Sequence, residues 1–144
     1  MLSHTAPSGI RLARFPVDNP IVTQPFKLGQ HNGIDFRARA PVPLFACGQG
    51  VVFGVHPVDD NESGKHCFVR GTGPQAGIVW SYSHMSEIDV EDGQAVSADD
   101  VVGLSGNTGL TSGPHLHFVT MRDISGQPSF DPVAVLPDVP LVLA

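Results

Sequence analysis

Glycine and proline interrupt this chain at short intervals, and their spacing limits what it can fold into more than any other feature. The chain has 16 Gly and 13 Pro among 144 residues. Because Gly costs about 1 kcal/mol and Pro about 3 kcal/mol in a helix interior, long helices are disfavoured. A chain of this length can bury about 70% of the surface that it exposes when unfolded, which is enough for one core. We therefore expect a single domain over residues 1–144.

Short segments rich in Val, Ile, Phe, Trp and Tyr lie between these turn signals and have the length of β-strands. Such a pattern is typical of antiparallel sandwiches and barrel-like sheets. The sequence therefore predicts an all-β fold, an antiparallel sheet with short loops and at most one helical turn, near Ser86–Asp89. Residues 123–144 are expected to form an extended C-terminal strap. The predicted strands are Ile21–Phe26, Gly50–His56, His66–Gly71, Ile78–His84, Val101–Ser105 and His115–Met121.

The charged residues exclude some classes of partner. Eight Lys and Arg against 14 Asp and Glu give a net charge of −6, and the basic residues form no run. A nucleic-acid-binding surface needs a positive stripe, so we expect no nucleic acid partner. No apolar run approaches the about 20 residues of a membrane-spanning helix, and Met1–Ile10 lacks the features of a secretory signal, so we expect no membrane insertion and no signal peptide. Cys47 and Cys67 could form a disulfide that closes a loop of about 20 residues, and two buried thiols are the favoured alternative in a chain without an export signal.

His31 and Asp35 are the first residues that could do chemistry. They flank Asn32-Gly33, a dipeptide typical of a tight turn that enters a strand. Such a turn would fold both side chains back toward one point. A His and an Asp on a loop also form local hydrogen-bond pairs. The spacing by itself therefore leaves two interpretations open, a structural pair or part of a reactive site.

A second candidate is the triplet His115-Leu116-His117. On a strand, residues i and i+2 project from one face, so both imidazoles point one way and Leu116 points into apolar packing. His84 follows a predicted strand, and Tyr82, two residues earlier, should share its face. Surface histidines on an edge strand and a hydrogen-bonded strand-end histidine are the structural alternatives. Together with the first pair, however, these side chains match a hydrolytic zinc site, which needs three protein ligands and one position left for water.

Three ordered motifs carry a more specific signal. They resemble the motifs of the lysostaphin and LytM type of zinc endopeptidase, peptidase family M23, and they lie at His31–Phe36, Tyr82–Ser86 and Ser112–Phe118. The turn at Gly106–Gly109 also resembles this family, and the likeness spans about residues 31–122. The chain departs from the family's pattern at Val119, where an acidic residue is usual, and in loops 57–65 and 71–77, which are longer than in minimal members.

The resemblance implies an all-β LytM domain with a duplicated-hybrid-motif-like fold and one Zn²⁺ per chain. Carried over residue by residue, it implies His31, Asp35 and His117 as the zinc ligands. It implies that two catalytic histidines, His84 and His115, flank the open coordination position. We expect His115 to be the general base, since it lies beside a ligand on the same strand, and His84 to be the donor to the oxyanion.

The resemblance also implies an activity, the hydrolysis of peptide bonds in bacterial peptidoglycan cross-links or stem peptides through a metal-activated water. Peptidoglycan peptides are then the partners, the cell wall is the site of action, and a monomer is the expected state. A phage-encoded endolysin, released at lysis or carried in a virion, fits the lack of a recognised signal, as does export by another route. The alternative is a non-catalytic LytM-like module that binds wall peptides or activates another hydrolase, although such modules lose zinc ligands that are present here. A biotinyl or lipoyl carrier is disfavoured, because neither Lys27 nor Lys65 lies in an exposed hairpin turn.

Overall fold

The computed structural model describes residues 4–144, and within them the chain forms an 11-stranded sheet. Met1–Ser3, which begin the segment considered for a signal, lie outside the described residues. Two single-turn 3-10 helices lie at Gly73–Gln75 and Pro132–Ala134. In this part of the chain no helix has the length and apolar character needed to cross a membrane. The strands are β1 (Ile21–Gln24), β2 (Ile34–Arg37), β3 (Pro43–Phe45), β4 (Gly50–His56), β5 (Lys65–Gly71), β6 (Ile78–Ile88), β7 (Ala95–Val96), β8 (Val101–Ser105), β9 (His115–Arg122), β10 (Ser129–Phe130) and β11 (Val142–Leu143).

The predicted all-β fold is confirmed, with one correction to the direction of a strand. The strands follow one another across the sheet in the order β11-β1-β2-β9-β6-β5-β4-β7. Strand β10 pairs with β9, and β3 pairs with β8, which also pairs with β6. The described pairings are antiparallel except that of β1 with β11. These two strands lie near opposite ends of the chain, so no hairpin constrains their relative direction. The sheet is therefore mixed rather than purely antiparallel.

Strand β6 changes its partners part-way along its length. Ile78–Ser83 pair with β9, and Met85–Ile88 pair with β8. The register with β5 also shifts at this point, as it does at a β-bulge. The helical turn expected near Ser86–Asp89 is wrong, because pairing with β8 extends the strand to Ile88.

The core contains a buried chain of hydrogen bonds between aromatic side chains. Trp80, Tyr82 and Phe118 are fully buried. The Tyr82 hydroxyl accepts a hydrogen bond from the Trp80 indole at 2.9 Å and donates one to the Phe45 carbonyl at 2.7 Å. Within residues 4–144, no buried side-chain nitrogen or oxygen lacks a hydrogen-bond partner. Hydrogen bonds within the protein therefore replace those that these buried polar groups would make with water in the unfolded chain.

Cys47 and Cys67 are free, buried thiols, which is the alternative that the sequence favours over a disulfide. Burial raises the pKa of each thiol to about 12, because a thiolate would lose its hydration in the core. Cys47 Sγ lies 3.7 Å from the Tyr82 hydroxyl, and Cys67 Sγ lies 3.9 Å from Met85 Sδ. Both residues therefore pack as small apolar side chains.

The C-terminal segment, residues 123–144, contributes to the core as well as to the surface. It contains β10, the 3-10 helix at Pro132–Ala134 and β11. Phe130, Val135 and Leu136 are buried. The Val135 carbonyl also accepts a hydrogen bond from the backbone of Leu12, at 2.6 Å. The two terminal segments are therefore joined to each other beside the sheet.

Candidate metal centre

Strands β2 and β9 place the site on one face of the sheet. In their antiparallel register, Asp35 lies opposite His117, and Arg37 lies opposite His115. Directly opposed residues project from the same face, and so do residues two apart on a strand. Leu116 points the other way and is fully buried. The prediction that the two imidazoles of β9 share a face is confirmed.

A tight turn brings His31 to the same point. The backbones of Lys27 and His31 exchange two hydrogen bonds, of 2.9 and 2.8 Å. Gly33 then passes so close to β9 that a Cβ would lie 2.3 Å from the Phe118 carbonyl oxygen. A side chain cannot be accommodated at that distance, which is why glycine stands there. As the turn predicts, His31 Nε2 lies close to Asp35 Oδ1, at 3.2 Å.

Among the described residues, one group of side chains could hold a metal ion. It consists of His31, Asp35 and His117, which offer ligand atoms within 4.8 Å of one another. Asp35 Oδ1 is 3.2 Å from His31 Nε2 and 2.8 Å from His117 Nδ1. Tetrahedral zinc sites with metal–ligand distances of about 2.0–2.1 Å have ligand atoms ~3.3 Å apart. The group therefore fits one zinc ion in both its donor types and its spacing.

The outer nitrogens of the two imidazoles support the same assignment. His31 Nδ1 lies 2.8 Å from the Pro25 carbonyl oxygen, and His117 Nε2 lies 2.8 Å from Asn32 Oδ1. Because these oxygens accept hydrogen bonds, we assign the ring protons to the outer nitrogens. The inner nitrogens then present lone pairs toward the Asp35 carboxylate. Three acceptors converge on one point, which is an arrangement that a cation stabilises.

His84 reaches the site through an irregular backbone. Its φ of +61° lies in the left-handed region that residues other than glycine seldom adopt, at the point where β6 leaves β9 for β8. Tyr82 lies opposite Phe118 and Ser83 opposite His117, so Tyr82 faces the core. The expectation that Tyr82 shares the face of His84 is therefore wrong. The bulge turns His84 toward His117, with the ring centroids 6.0 Å apart.

His84 and His115 lie side by side, with ring centroids 4.9 Å apart. His84 Nδ1 is 2.7 Å from the Thr108 carbonyl oxygen, and His115 Nδ1 is 2.8 Å from the Gly113 carbonyl oxygen. Both Nδ1 atoms are therefore assigned a proton, which leaves both Nε2 atoms for water or a ligand. His115 Nε2 also lies 3.6 Å from Asp35 Oδ2. The structure thus brings together all five side chains that the motifs single out.

The loop at residues 57–65 supports Thr108 and Gly109, and Thr108 holds His84. The backbone N–H of Lys65 donates to Thr108 Oγ1 at 3.0 Å. The backbone N–H of Gly109 donates to the Asp59 carboxylate at 2.8 Å. The loop therefore anchors Thr108, whose carbonyl accepts the Nδ1 proton of His84.

Burial and neighbouring charges set the protonation states at the site. Burial by itself would raise the pKa of Asp35, but contact with His117 and the positive charge that the nearby imidazoles can carry lower it below its ordinary value. Burial lowers the pKa of His84, the Thr108 carbonyl opposes that shift, and the charges of His115 and His117 add to it. At pH 7 the carboxylate is therefore ionised and the His84 imidazole is neutral.

Two cavities border the site, and we refer to them together as the groove. A cavity of about 420 Å³ is lined by His31 together with Phe26 and Leu28. A second cavity, of about 350 Å³, is lined by Asp35 and His115. His31 Nε2 and Asp35 Oδ1 are 3.2 Å apart, so each cavity borders the candidate metal site. Together they offer space for parts of a ligand on either side of these two residues.

Comparison with known protein families shows which family the chain belongs to. A sequence profile described as peptidase family M23 matches residues 29–132, which contain all five side chains. The chain belongs to peptidase family M23. This M23 chain is 36% identical over 94 residues to the peptidoglycan DD-endopeptidase ShyA of Vibrio cholerae, covering 64% of the chain and 20% of that protein. It is 32% identical over 117 residues to lysostaphin of Staphylococcus simulans, covering 75% of the chain and 22% of that protein. The chain therefore spans about a fifth of the length of these relatives.

Solved structures share the fold of this M23 chain. A zinc-containing peptidase from Vibrio cholerae superposes with a TM-score of 0.71 at 28% identity, over 90% of this chain and 41% of that one. The catalytic domain of lysostaphin from Staphylococcus simulans gives a TM-score of 0.65 at 28% identity, over 78% of this chain and 86% of that one. The expected LytM-type fold and family are confirmed.

The sequence patterns do not indicate the groups that orient the four imidazoles. The sequence marks Asn32 only as a turn residue, whereas in the structure its amide oxygen lies 2.8 Å from His117 Nε2. Pro25, Thr108 and Gly113 contribute backbone carbonyls. Every residue has a carbonyl, so no sequence signal marks these three. The position of Asn32 beside a candidate ligand is the one signal that the sequence offers.

Proposed function

We propose that this M23 chain is a zinc-dependent endopeptidase that cleaves peptide bonds in peptidoglycan cross-links or stem peptides. One observation carries the proposal. The inner nitrogens of His31 and His117 converge on the Asp35 carboxylate, while their outer nitrogens contact oxygen acceptors. A relative named as a peptidoglycan endopeptidase and a zinc-containing structural neighbour support the substrate class and the metal. We propose residues 1–144 as one peptidase domain that acts as a monomer on the cell wall.

The proposed roles follow from which nitrogens are engaged. When bound by His31, Asp35 and His117, zinc supplies Lewis-acid activation of water and of a peptide carbonyl. His115 is the proposed general base, since its Nδ1 proton is held by the Gly113 carbonyl and its Nε2 lone pair is available to take a proton. The same carbonyl stabilises the imidazolium that forms.

His84 is the proposed donor to the negative charge that develops on the carbonyl oxygen. Its Nδ1 proton is held by the Thr108 carbonyl, so donation from Nε2 requires the imidazolium form. Burial and the charges of His115 and His117 lower the pKa of His84, and the Thr108 carbonyl and the Asp35 carboxylate oppose that shift. The imidazole is therefore neutral in the resting site and must gain a proton before it can donate from Nε2.

The groove supports a peptide as the substrate. One of its two cavities is lined by the apolar residues Phe26 and Leu28, and the other is lined by Arg37. A chain lying across the site would present a backbone carbonyl there and side chains to both cavities. The non-catalytic alternative finds no support, because none of the five side chains is missing.

The test is digestion of purified sacculi with different cross-bridges, with mass spectrometry of the released peptides. The zinc-loaded protein is expected to release peptides, a chelator to stop the release, and added zinc to restore it. Asp35→Ala should be inactive, whereas Asp138→Ala, which changes an exposed carboxylate elsewhere, should match the unmodified protein. Release that persists in chelator, or no release from any sacculus by the zinc-loaded protein, would overturn the proposal.

A further inference from the structure

Two arginines line the groove on the side of His115. Arg37 ends β2 directly opposite His115, on the face that carries Asp35. Arg39 follows two residues later, and both arginines line the 350 Å³ cavity. Arg37 is half-buried and Arg39 is exposed. This side of the groove is therefore cationic close to the candidate metal site.

Neither guanidinium has a partner within residues 4–144. The Asp35 carboxylate, which shares their cavity, already contacts imidazoles through both of its oxygens. The other arginines of this acidic chain are engaged by carboxylates or by backbone carbonyls: Arg11, Arg14, Arg70 and Arg122. Arg37 and Arg39 thus remain available for an anionic ligand.

The chemistry of the guanidinium group favours a carboxylate as the anionic ligand. Its planar fork forms two parallel hydrogen bonds with a carboxylate, and these charge-assisted bonds are stronger than bonds between neutral groups. Cross-strand neighbours have Cβ atoms about 4.5–5.5 Å apart, and an extended peptide advances about 3.3 Å per residue. A carboxylate one or two residues from the scissile bond would therefore be within reach of Arg37.

Building on the proposed function, we propose that Arg37 and Arg39 select peptides with a carboxylate within one or two residues of the scissile bond, on the His115 side of the groove. The carboxylate can belong to an acidic side chain or to a free chain terminus. Arg37 contributes more than Arg39, because a half-buried charge is screened less by solvent and salt than an exposed one.

The experiment compares one substrate in two chemical forms. Sacculi are used untreated and after carbodiimide-mediated amidation, which neutralises carboxylates and leaves wall phosphates intact. Release rates are measured for the zinc-loaded protein and for Arg37→Ala, Arg39→Ala and the double variant. Arg70→Ala is the matched control, since it removes an exposed arginine that is paired with Asp123 outside the groove. In parallel, binding of soluble stem peptides with free or amidated carboxylates is measured by calorimetry.

The unmodified protein and Arg70→Ala are expected to cleave untreated sacculi about tenfold faster than amidated ones, or more, since hydrogen bonds to charged groups have that magnitude. The double variant should lower this ratio to near one, and Arg37→Ala should lower it more than Arg39→Ala. The selectivity is overturned if the unmodified protein cleaves untreated and amidated sacculi at about the same rate, or if the double variant keeps the rate ratio of the unmodified protein. Either result leaves the endopeptidase proposal standing. If neither substrate is cleaved, the endopeptidase proposal fails. The calorimetry then decides: binding that needs both the carboxylate and the arginines supports the selectivity, and any other result overturns it.

Discussion

Asn32 lies outside the five motif side chains, yet its amide oxygen is the acceptor that holds His117 in its tautomer. The contact between His117 Nε2 and Asn32 Oδ1 measures 2.8 Å. Replacing Asn32 by Ala removes this acceptor and leaves the ligand nitrogen, Nδ1, in place. The imidazole is then free to rotate or to carry its proton on Nδ1, which would have to be displaced by the metal. Asn32→Ala should therefore weaken zinc binding without removing a ligand.

The exposure of Asn32 sets the size of the effect. Groups that hydrogen-bond to metal ligands typically contribute about 10- to 100-fold to metal affinity. Asn32 is exposed, so water can replace the lost amide oxygen in part. We therefore expect the lower end of that range, about tenfold in affinity or about 1.4 kcal/mol of binding free energy. Asn32→Asp keeps an acceptor and adds a negative charge, so it should bind zinc at least as tightly as the unmodified protein.

Zinc affinity can be measured by competition with a chromophoric chelator at pH 7.5, with circular dichroism to verify the fold of each variant. Gln30→Ala is the matched control, since Gln30 is an exposed amide in the same turn that contributes a backbone hydrogen bond. If Asn32→Ala binds zinc as tightly as Gln30→Ala does, the assigned role of the amide oxygen is refuted.

Three further predictions concern the ligands, the core and the thiols. His115→Ala should retain zinc and lose about 10² to 10⁴ in hydrolysis rate, whereas His117→Ala should lose zinc as well; equal zinc loss in both, measured by atomic absorption, would contradict the proposed roles. Tyr82→Phe leaves the buried Trp80 indole N–H without its acceptor and leaves the Phe45 carbonyl with only the weak Cys47 thiol donor at 3.8 Å. At about 1–3 kcal/mol for the unpaired N–H, it should lower the free energy of unfolding in urea by at least about 1–3 kcal/mol. A loss below about 0.5 kcal/mol would mean that water or a neighbour replaces the hydroxyl. Burial raises the pKa of Cys47 and of Cys67 to about 12, so the thiols of the unfolded chain lose their protons at lower pH than those of the folded protein. The free energy of unfolding should therefore fall as pH rises above about 9, by up to about 1.4 kcal/mol per pH unit for each thiol. Unfolding measured between pH 8 and 10 should show a shallower fall in Cys67→Ala, and an unchanged slope would contradict the pKa assignment.

The longer strands were predictable because their signals are local. Gly50–His56 and Val101–Ser105 coincide with β4 and β8, and the other predicted segments differ from observed strands by a few residues at their ends. Turn residues mark the ends of such segments, and apolar residues of strand type fill them. Strands β7, β10 and β11 have two residues each, which is too short for an alternating pattern to form. The parallel pairing of β11 with β1 depends on contacts between distant segments and has no local signal.

At the candidate site, residue types and short spacings could be predicted, but the position of His84 could not. The two-residue spacing of His115 and His117 determines a shared face wherever a strand forms. The orientation of His84 depends on a bulge, which lies where β6 exchanges β9 for β8 as its partner. That exchange depends on where two other strands lie in the sheet. Regular alternation along β6 predicts the wrong face for this side chain.

The sequence by itself determined the all-β class and indicated the turn that folds His31 toward Asp35, since backbone sterics and side-chain alternation act within a few residues. The five candidate side chains are implied by the resemblance of the ordered motifs to peptidase family M23. The tertiary structure decided the register that sets Asp35 opposite His117, 82 positions along the chain. It also decided which ring nitrogens are held by oxygens and which face the site, and it left Arg37 and Arg39 unpaired in the groove. Hydrogen bonds and ion pairs act only over a few ångströms, so their partners are determined by the packing of distant segments and not by neighbours in the sequence.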